Sequence, residues 1–502
     1  MGLMQPEGLR LPSAPRLPRL PRDSVRNALI GLGAALVAVL IGLMIAQGKW
    51  WFGFLPVVVV APFVLARYSW LPYALAVVLI CGFAEPYAYP QLIVAGANIH
   101  LVELVLMLGF AGWFLSAERR RARLREHPYL VRVGVGLTMV AAFVGLGVGI
   151  DNGATPVGAF LDMRPVLIYS AFWLALLAFA DPGSRRILFG IFAALAVGVV
   201  AMQVLQGFLG TSRIIFLTDD PRANLLTCSL GVCENVSAYG FPRVRPPGLP
   251  IAYAGSAFAA CYLLWGPPRR RVLVAGLLGV YLIGIVVSQN RNMLIGLALG
   301  LIVASIVSVH KARLVIGFVV LLGGILLLVT VLGDKASTSS PIITRITSLT
   351  EPEEISKSST ITDRSTENEL ALAAIRKAPL EGLGWGVNYG EGNIHLQYLA
   401  LWLRMGLLGL AAFLTILITC FCWAFQACRV RGPDSGEYPW LGAAAISSLV
   451  GLAASAVVGI YFLTPASAVV LCGIFALAST LRRELGERRE RVRRVPSPAL
   501  PG

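Results

Sequence analysis

The sequence predicts an all-α polytopic membrane protein, and two properties of the 502-residue chain support this class. Apolar residues make up 57% of the chain, charged residues make up only 14%, and the mean hydropathy is +0.76. So little polar surface cannot cover a soluble globule. Apolar runs long enough to cross a bilayer, about 17 to 25 residues each, also recur along the whole chain.

The apolar runs predict fourteen membrane spans. They lie near 27–47, 52–67, 69–85, 99–116, 132–150, 165–181, 186–206, 250–266, 272–288, 293–309, 314–333, 397–425, 440–461 and 466–480. The second and third runs are also compatible with a single kinked or re-entrant element. The first run follows a segment rich in arginine and proline and has no small-residue cleavage site after it, so we expect a retained helix. This division predicts a basic tail over 1–26, a transmembrane domain over 27–480 and a second basic tail over 481–502.

The positions of the positive charges predict which side each loop faces. The net charge of +16 comes from short arginine and lysine clusters between the apolar runs. Such positively charged clusters stay in the cytoplasm. With fourteen spans, every loop predicted to be cytoplasmic carries positive charge, and both termini lie in the cytoplasm. This pattern is typical of membrane loops, so no nucleic-acid partner is expected. Two long segments, 207–250 and 334–395, then fall on the outer face of the membrane.

The first outer segment contains Cys228 and Cys233, the only two of the eight cysteines predicted to lie in an outer loop. In an oxidising compartment these two could form a disulfide, and two free thiols are the alternative. The other six lie in or beside predicted spans without the spacing of metal ligands. The sequence also has no phosphate-binding loop and no HExxH motif, so neither a metal nor a cofactor is predicted.

Histidine and arginine at the outer boundary are the candidate functional residues. His395 ends the second outer segment, where an imidazole that titrates near neutrality could act as a general base. His100 also begins a span on this side, but a capping or packing role explains it better. A group of arginines lies at outer membrane boundaries, where the positive-inside rule gives no reason for them. A guanidinium group can bind a phosphate through two parallel hydrogen bonds, so these arginines suggest a phosphate ligand. These arginines are Arg164, Arg243, Arg245 and Arg291.

The alternative for these arginines is that each reaches a lipid headgroup or pairs with a nearby carboxylate, such as Asp162, Asp219, Asp220 or Glu85. Arg404 differs because it lies nine residues into the span that follows His395, about 13 Å deep. We expect it to face the bundle interior, in an ion pair or at a cavity. Arg364 precedes a short predicted helix over 366–377, which could lie on the membrane like a lid or act as a plain connector.

Four short motifs follow one another between about residues 240 and 410. His395 is followed eleven residues later by a Gly-apolar-apolar-Gly motif, with Leu399 at the apolar position between them. The Gly-apolar-apolar-Gly motif is Gly406-Leu407-Leu408-Gly409, and the upstream motifs are Pro379-Leu380-Glu381-Gly382-Leu383-Gly384, Arg245-Pro246-Pro247-Gly248 and Ser288-Gln289-Asn290-Arg291.

In these motifs the chain resembles the O-antigen ligase and polymerase superfamily of bacterial multispanning glycosyltransferases. The resemblance implies a GT-C-like bundle of about 12 to 14 transmembrane helices with a large outer loop. This chain departs from the family pattern at Leu396, where asparagine is usual, and at Arg404, where an acidic residue is frequent. These departures bear on the particular substrate.

The resemblance also implies an activity and its site residues. Family members transfer a glycan from an undecaprenyl-diphosphate carrier to an acceptor glycan or lipid on the outer face of the bacterial plasma membrane. His395 would be the general base of an inverting, metal-independent displacement, and Arg245 and Arg291 would hold the diphosphate. The candidate substrate-binding residues are Arg164, Arg243, Arg364 and Arg404. A transporter or flippase of lipid-linked glycans and a scaffolding membrane protein are the alternatives.

Overall fold

The structure is a computed structural model that describes residues 55–82, 91–94, 97–115, 127–209, 246, 248–288, 290–308, 317, 359–387, 394, 396–431, 435–457, 459 and 461–494. The chain forms two compact units, Met1–Val64 and Leu65–Gly502. The contacts below all lie within the second unit.

The secondary structure is dominated by helices. The α-helices are α1 (Leu55–Arg67), α2 (Leu71–Cys81), α3 (Leu101–Leu115), α4 (Tyr129–Asp151), α5 (Pro156–Leu167), α6 (Ala171–Phe179), α7 (Pro182–Leu209), α8 (Leu249–Trp265), α9 (Arg271–Val287), α10 (Arg291–Val307), α11 (Ser359–Lys377), α12 (Gln397–Cys428), α13 (Tyr438–Ser455) and α14 (Pro465–Arg494). Short 3-10 turns, Ile168–Ser170 and Pro268–Arg270, precede α6 and α9.

The described helices confirm an all-α polytopic membrane protein. Seven are long and apolar enough to cross a membrane, and three shorter helices are also apolar. The segments Val60–Arg67 and Leu71–Cys81 meet at a bend of 108°, which agrees with the kinked element expected over 52–85. The predicted spans 27–47 and 314–333 lie almost wholly outside the described residues, so the count of fourteen stays a prediction.

A short β-hairpin precedes α3 and was not foreseen in the sequence. Strand β1 (Gln91–Val94) pairs antiparallel with β2 (Ala97–His100), with Gln91 opposite His100. The strands end where α3 begins, and the His100 N–H donates to Glu103 Oε2 at 3.0 Å. This bond satisfies an amide at the helix start, and the His100 side chain is buried. The capping or packing role expected for His100 agrees with this position.

The span predicted over 165–181 begins earlier than expected. Helix α5 starts at Pro156, with the Thr155 hydroxyl accepting from the Gly158 N–H at 3.1 Å as an N-cap, and the helical path continues to Phe179. Arg164 therefore lies inside a helix rather than directly before a span that starts at residue 165, as the apolar run predicts. The apolar-run criterion missed the first turns because they carry charged residues, which the structure places in ion pairs with other helices.

Small residues let neighbouring helices approach closely. Helices α10 and α13 form one of the most extensive contacts in the bundle. A Cβ added at Gly300 of α10 would collide with the Ser447 carbonyl oxygen of α13, and one at Gly296 would lie 2.5 Å from the Gly451 carbonyl oxygen. Within a bilayer, such close packing replaces the hydrophobic driving force that water provides elsewhere.

One end of the bundle, here called the arginine-rich end, collects residues from several predicted cytoplasmic loops. Arg185 pairs with Glu484 at 3.3 Å and with Glu437 at 3.7 Å. Arg483 contacts the His127 Nε2 atom at 3.1 Å and donates to the Ala180 carbonyl oxygen at 3.0 Å. Helix α14 reaches these partners because it continues to Arg494, beyond the span end predicted at 480. The grouping follows the loop alternation that the charges predict.

A pH dependence follows from the burial of His127 at this end. Burial, helped by the charges of Arg483 and Arg132, lowers the pKa of His127 from 6.5 to about 3. Below pH 6.5 the unfolded chain therefore binds a proton here that the folded protein does not. The free energy of unfolding should therefore decrease as the pH is lowered from 6.5 to 3, with a slope approaching about 1.4 kcal/mol per pH unit.

The measurement is detergent-solubilised unfolding at pH 7, 6 and 5 for the wild-type protein and for His127→Gln. Glutamine keeps an acceptor for Arg483 but does not titrate, so the variant should lose this part of the slope. An unchanged slope in the variant would show that His127 does not control the pH dependence.

Candidate active site at an interrupted helix

Helix α12 is interrupted at Gly406, the first glycine of the Gly-apolar-apolar-Gly motif. Gly406 has φ of 65° and ψ of −176°, a backbone conformation that essentially only glycine adopts. A Cβ at this position would also collide with the Leu380 carbonyl oxygen. The motif glycine is therefore required by the backbone, and it marks the point where another segment enters the helix.

The entering segment is the Pro379–Gly384 motif, which replaces hydrogen bonds that the helix lacks. In a regular helix the Leu407 N–H would donate to the Leu403 carbonyl, four residues back. Here the Leu407 N–H donates to the Leu380 carbonyl oxygen at 2.9 Å, and the Leu403 carbonyl oxygen accepts from the Leu383 N–H at 2.7 Å. The two sequence motifs therefore form one backbone-bonded unit.

Trp385 fixes this unit to α4. Its side chain is fully buried, and its indole N–H donates to the Ala142 carbonyl oxygen at 3.0 Å. Its backbone N–H donates to the Gly145 carbonyl oxygen at 3.1 Å. A Cβ at Gly149 would collide with the Trp385 carbonyl oxygen, so the face of α4 that carries Gly145 and Gly149 must stay small.

The Asp162–Arg404 ion pair also holds the loop that carries Trp385. Arg404 Nη1 lies 2.9 Å from Asp162 Oδ1, and the Gly386 N–H donates to Asp162 Oδ2 at 3.1 Å. The Arg404 guanidinium also lies 5.3 Å from the centre of the Trp385 ring, within cation–π distance. Of the two roles expected for Arg404, the structure shows the ion pair.

Arg164 is also engaged within the protein. Its Nε atom lies 3.2 Å from Glu103 Oε1, and its guanidinium lies 5.4 Å from the centre of the Phe160 ring. Only 8% of the Arg164 side chain is exposed. The pairing alternative therefore applies to Arg164, although its partner is Glu103 rather than one of the carboxylates proposed from sequence.

A second convergence point is the connection between α13 and α14, over residues 455–464, here called the α13–α14 connection. Phe462 is fully buried at its centre, with its ring 4.9 Å from that of Phe413 and 5.3 Å from that of Tyr398. The Tyr169 hydroxyl donates to the Phe462 carbonyl oxygen at 2.8 Å. Helix α12 and the turn before α6 thus meet at this residue, shortly before α14 begins at Pro465.

The residues on both sides of Arg291 bind this connection. The Asn290 Nδ2 atom donates to the Tyr461 hydroxyl at 2.6 Å. The Ser455 hydroxyl donates to the Asn292 carbonyl oxygen at 3.0 Å. The start of α10, where Arg291 lies, is therefore held against the α13–α14 connection.

Gln397, two residues after His395, binds the same connection. The Gln397 N–H donates to the Ala456 carbonyl oxygen at 3.1 Å, and its Oε1 atom accepts from the Leu463 N–H at 3.0 Å. Its Nε2 atom donates to the Ile394 carbonyl oxygen at 3.3 Å. Gln397 thus ties the chain before and after His395 to the bundle.

Gly248, the last residue of the Arg245-Pro246-Pro247-Gly248 motif, lies at the same end of the bundle. A Cβ added there would collide with the Cys81 carbonyl oxygen. The Cys81 thiol in turn lies 3.8 Å from the Ala466 carbonyl oxygen, in the first turn of α14. Of the motif residues, Asn290 therefore bonds directly to the α13–α14 connection, and Gly248 is linked through Cys81 to the first turn of α14.

Most of the predicted chemical groups lie outside the described part of the chain. His395, Arg243, Arg245, Cys228 and Cys233 are not among the described residues, and for Arg291 and Arg364 the structure describes only the helix backbone, in α10 and α11. Their roles stay predictions. The predicted helix over 366–377 is the second half of α11, and its role as a lid also stays a prediction.

Sequence reasoning missed the residues that hold the site together. Trp385 follows the Pro379–Gly384 motif directly, and Gln397 follows His395 by two residues, so proximity to a motif was a usable signal. Tyr461 and Glu103 carry no such signal because they lie far from the motifs in sequence. Among the described residues, no group of three histidine, cysteine or acidic side chains could hold a metal ion.

The fold and the site define a polytopic α-helical membrane protein. In it a glycine-rich loop, residues 379–386, forms backbone hydrogen bonds with α12 where that helix is interrupted at Gly406. Residues 276–414 match the family model of the O-antigen ligase domain. This match supports the O-antigen ligase and polymerase superfamily, so the resemblance predicted from the motifs is confirmed. No curated protein matches the chain.

The family match spans most of α9, then α10, α11, the glycine-rich loop and the first part of α12, and it includes the positions of Arg291 and His395. It supports an O-antigen ligase or polymerase type of activity, with a lipid-linked glycan and an acceptor as substrates. Together with the apolar helices, it indicates a bacterial membrane protein.

The interruption at Gly406 predicts a specific stability change. Gly406→Ala should destabilise the protein by at least about 2 kcal/mol, because alanine is strained at this φ and ψ and its methyl group meets the Leu380 carbonyl. The matched control is Gly147→Ala in α4, where an added Cβ has no atom within 4 Å. The control should be neutral or more stable by about 0.5 kcal/mol. Thermal unfolding in detergent measures both, and equal unfolding midpoints would contradict the assigned constraint.

The Asp162–Arg404 pair predicts energetic coupling. A double-mutant cycle with Asp162→Ala and Arg404→Ala should give a coupling energy of about 1 kcal/mol, since both side chains are partly exposed and solvent weakens the pair. Arg429→Ala is the control partner, because Arg429 stacks on Phe425 near the other end of α12. Asp162→Ala and Arg429→Ala should be additive. Additive effects for Asp162 and Arg404 as well would show that the pair does not hold the loop.

Proposed function

We propose that this protein transfers a glycan from a polyprenyl-diphosphate carrier to a hydroxyl group of an acceptor glycan or lipid on the outer face of the bacterial plasma membrane. The O-antigen ligase match supports this class of reaction, because the matched residues include the positions of both His395 and Arg291.

The observation that carries the proposal is that residues beside Arg291 and His395 bind the same short connection. Asn290 bonds to Tyr461 and Gln397 bonds to Leu463, two residues further along. Two residues of extended chain span at most about 7 Å. This proximity supports a site in which a cation for the diphosphate and a base for the acceptor act on the same reacting centre.

In the proposed reaction, the acceptor hydroxyl oxygen attacks the anomeric carbon of the donor glycan while His395 accepts the hydroxyl proton. A new glycosidic C–O bond forms, and the C–O bond to the diphosphate breaks with its electron pair remaining on the leaving oxygen. Attack opposite the leaving group inverts the anomeric carbon. Arg291 and Arg245, helped by Arg243, would stabilise the charge that develops on the diphosphate.

Arg164 and Arg404 receive supporting roles in this proposal. Each forms an ion pair within the protein, Arg164 with Glu103 and Arg404 with Asp162. Neither guanidinium is then a free cation for the diphosphate. Arg404, in the helix that follows His395, would instead position the loop around Trp385, and Arg364 in α11 is assigned to substrate contact.

The reaction product distinguishes a glycan-transferring enzyme from a transporter of lipid-linked glycans. Purified protein incubated with a polyprenyl-diphosphate glycan and an acceptor should release polyprenyl diphosphate and form an elongated glycan. A carrier would leave the donor intact.

Mass analysis of surface glycans from cells lacking the protein separates the two enzyme types: single repeat units on the acceptor indicate a polymerase, and an unmodified acceptor indicates a ligase.

Loss of either proposed group should lower the transfer rate. His395→Ala and Arg291→Lys should each reduce turnover at least about 100-fold, because one removes the base and the other removes paired hydrogen bonding to the diphosphate. Expression and thermal stability should stay near those of the wild-type protein.

The matched controls for this experiment are His127→Gln and Arg270→Lys, which change the same residue types at the arginine-rich end. Both controls should keep most of the wild-type turnover. Near-normal product from His395→Ala and Arg291→Lys would refute the assigned site.

A further inference from the structure

We propose that the protein binds one anionic phospholipid in a cavity that begins at the arginine-rich end of the bundle. The phosphate would lie at an arginine cluster formed by Arg186, Arg269 and Arg270, here called the arginine cluster, and an acyl chain would fill the cavity. This site is independent of the proposed transfer reaction.

The cavity has a volume of about 770 Å³ and lies between α7, α8, α9 and α14. This volume is in the range of small-molecule binding sites in proteins. Its walls are aromatic and aliphatic, and they include Phe189, Phe258, Leu277 and Ile474. Such a lining fits a hydrocarbon chain.

The cationic groups of the lining are grouped at one end of the cavity. Arg186 lies in the first turns of α7, and Arg269 and Arg270 lie in the 3-10 turn before α9. All three side chains are exposed, and within the described part of the chain none of them forms an ion pair. The carboxylate of the lining, Glu437, pairs with Arg185 at 3.7 Å. The cluster is therefore a net positive site at the mouth of an apolar cavity.

The depth of the cavity favours a phospholipid. Along α8 the lining runs from Ile251 to Tyr262, which at 1.5 Å per residue is about 16 Å. Half of a hydrocarbon core of about 30 Å is about 15 Å, the depth of one leaflet. An acyl chain is about as long as one leaflet is thick, so a chain that starts at a phosphate on the arginine cluster matches the length of the cavity.

The charge distribution favours an anionic headgroup over a zwitterionic one. Basic pockets between membrane helices on the cytoplasmic side attract anionic lipid headgroups. The positive-inside rule assigns the arginine-rich end to the cytoplasm, where the phosphate groups of that leaflet are within reach of the three guanidinium groups. Arginine binds phosphate oxygens in pairs, so each guanidinium adds to the preference.

Two variants test the two halves of the site separately. Gly190 lines the cavity, and a Cβ added there has no atom within 4 Å, so Gly190→Leu should fold and fill part of the cavity. Its control is Gly279→Leu in α9, which is equally open but does not line the cavity. Arg269→Gln with Arg270→Gln removes two charges of the cluster. Its control is Arg429→Gln with Arg431→Gln, two arginines that follow α12 and do not line the cavity.

The experiment is native mass spectrometry of the delipidated full-length protein with phosphatidylglycerol or phosphatidylcholine of identical acyl chains. One phosphatidylglycerol molecule should bind per protein, more tightly than phosphatidylcholine. The Arg269→Gln, Arg270→Gln variant should bind phosphatidylglycerol about 30-fold more weakly, since each arginine near a lipid phosphate contributes roughly a fivefold change in affinity. Gly190→Leu should lose binding of both lipids at this site, and both controls should bind like the wild-type protein.

Three results would overturn the proposal. They are equal binding of the two lipids to the wild-type protein, equal losses in the test and control variants, and displacement of bound phosphatidylglycerol by a polyprenyl diphosphate in the wild-type protein. The last result would assign the cavity to the carrier lipid. Transfer activity should be unaffected in Gly190→Leu, so failure of this proposal and failure of the proposed reaction are distinguished by separate measurements.

Discussion

A backbone group released from a helix inside a membrane must find its hydrogen-bond partner within the protein, and this constraint explains both convergence points in the structure. At Gly406 the helix α12 is interrupted, and the Leu380 carbonyl oxygen and the Leu383 N–H supply the missing bonds. Interruption is tolerated because another segment of the chain takes over the hydrogen bonding. The backbone of the glycine-rich loop therefore replaces hydrogen bonds of the helix, and the loop is not a simple connector.

The same constraint applies at the start of α12. The Gln397 side chain accepts from the Leu463 N–H and donates to the Ile394 carbonyl oxygen, so it satisfies backbone groups on two separate segments. Gln397 is nearly fully buried, and an apolar residue there would leave both groups without a partner. The polar residue next to the proposed base is thus explained by the backbone it satisfies, before any catalytic role is considered.

The two ends of the bundle use charge differently. At the arginine-rich end, the Arg185–Glu484 pair and the Arg483–His127 contact link the long helix α14 to its neighbours, and Arg185 also pairs with Glu437 at the start of α13. At the other end, Asp162 and Arg404 hold the loop that carries Trp385. The first set stabilises the contacts between helices, whereas the second positions a loop beside the proposed transfer site.

The sequence by itself determined the class of protein and the positions of the motifs, because hydropathy and short glycine patterns are local properties. Only the tertiary structure decided that α5 begins at Pro156 and that Arg164 pairs with Glu103, since an apolar-run criterion rejects a turn whose charges are neutralised by distant residues. It also decided that Tyr461 binds Asn290, a contact across 171 positions in the chain that no local pattern encodes. Pairings of this kind depend on which helices pack together, and that packing is a property of the whole bundle.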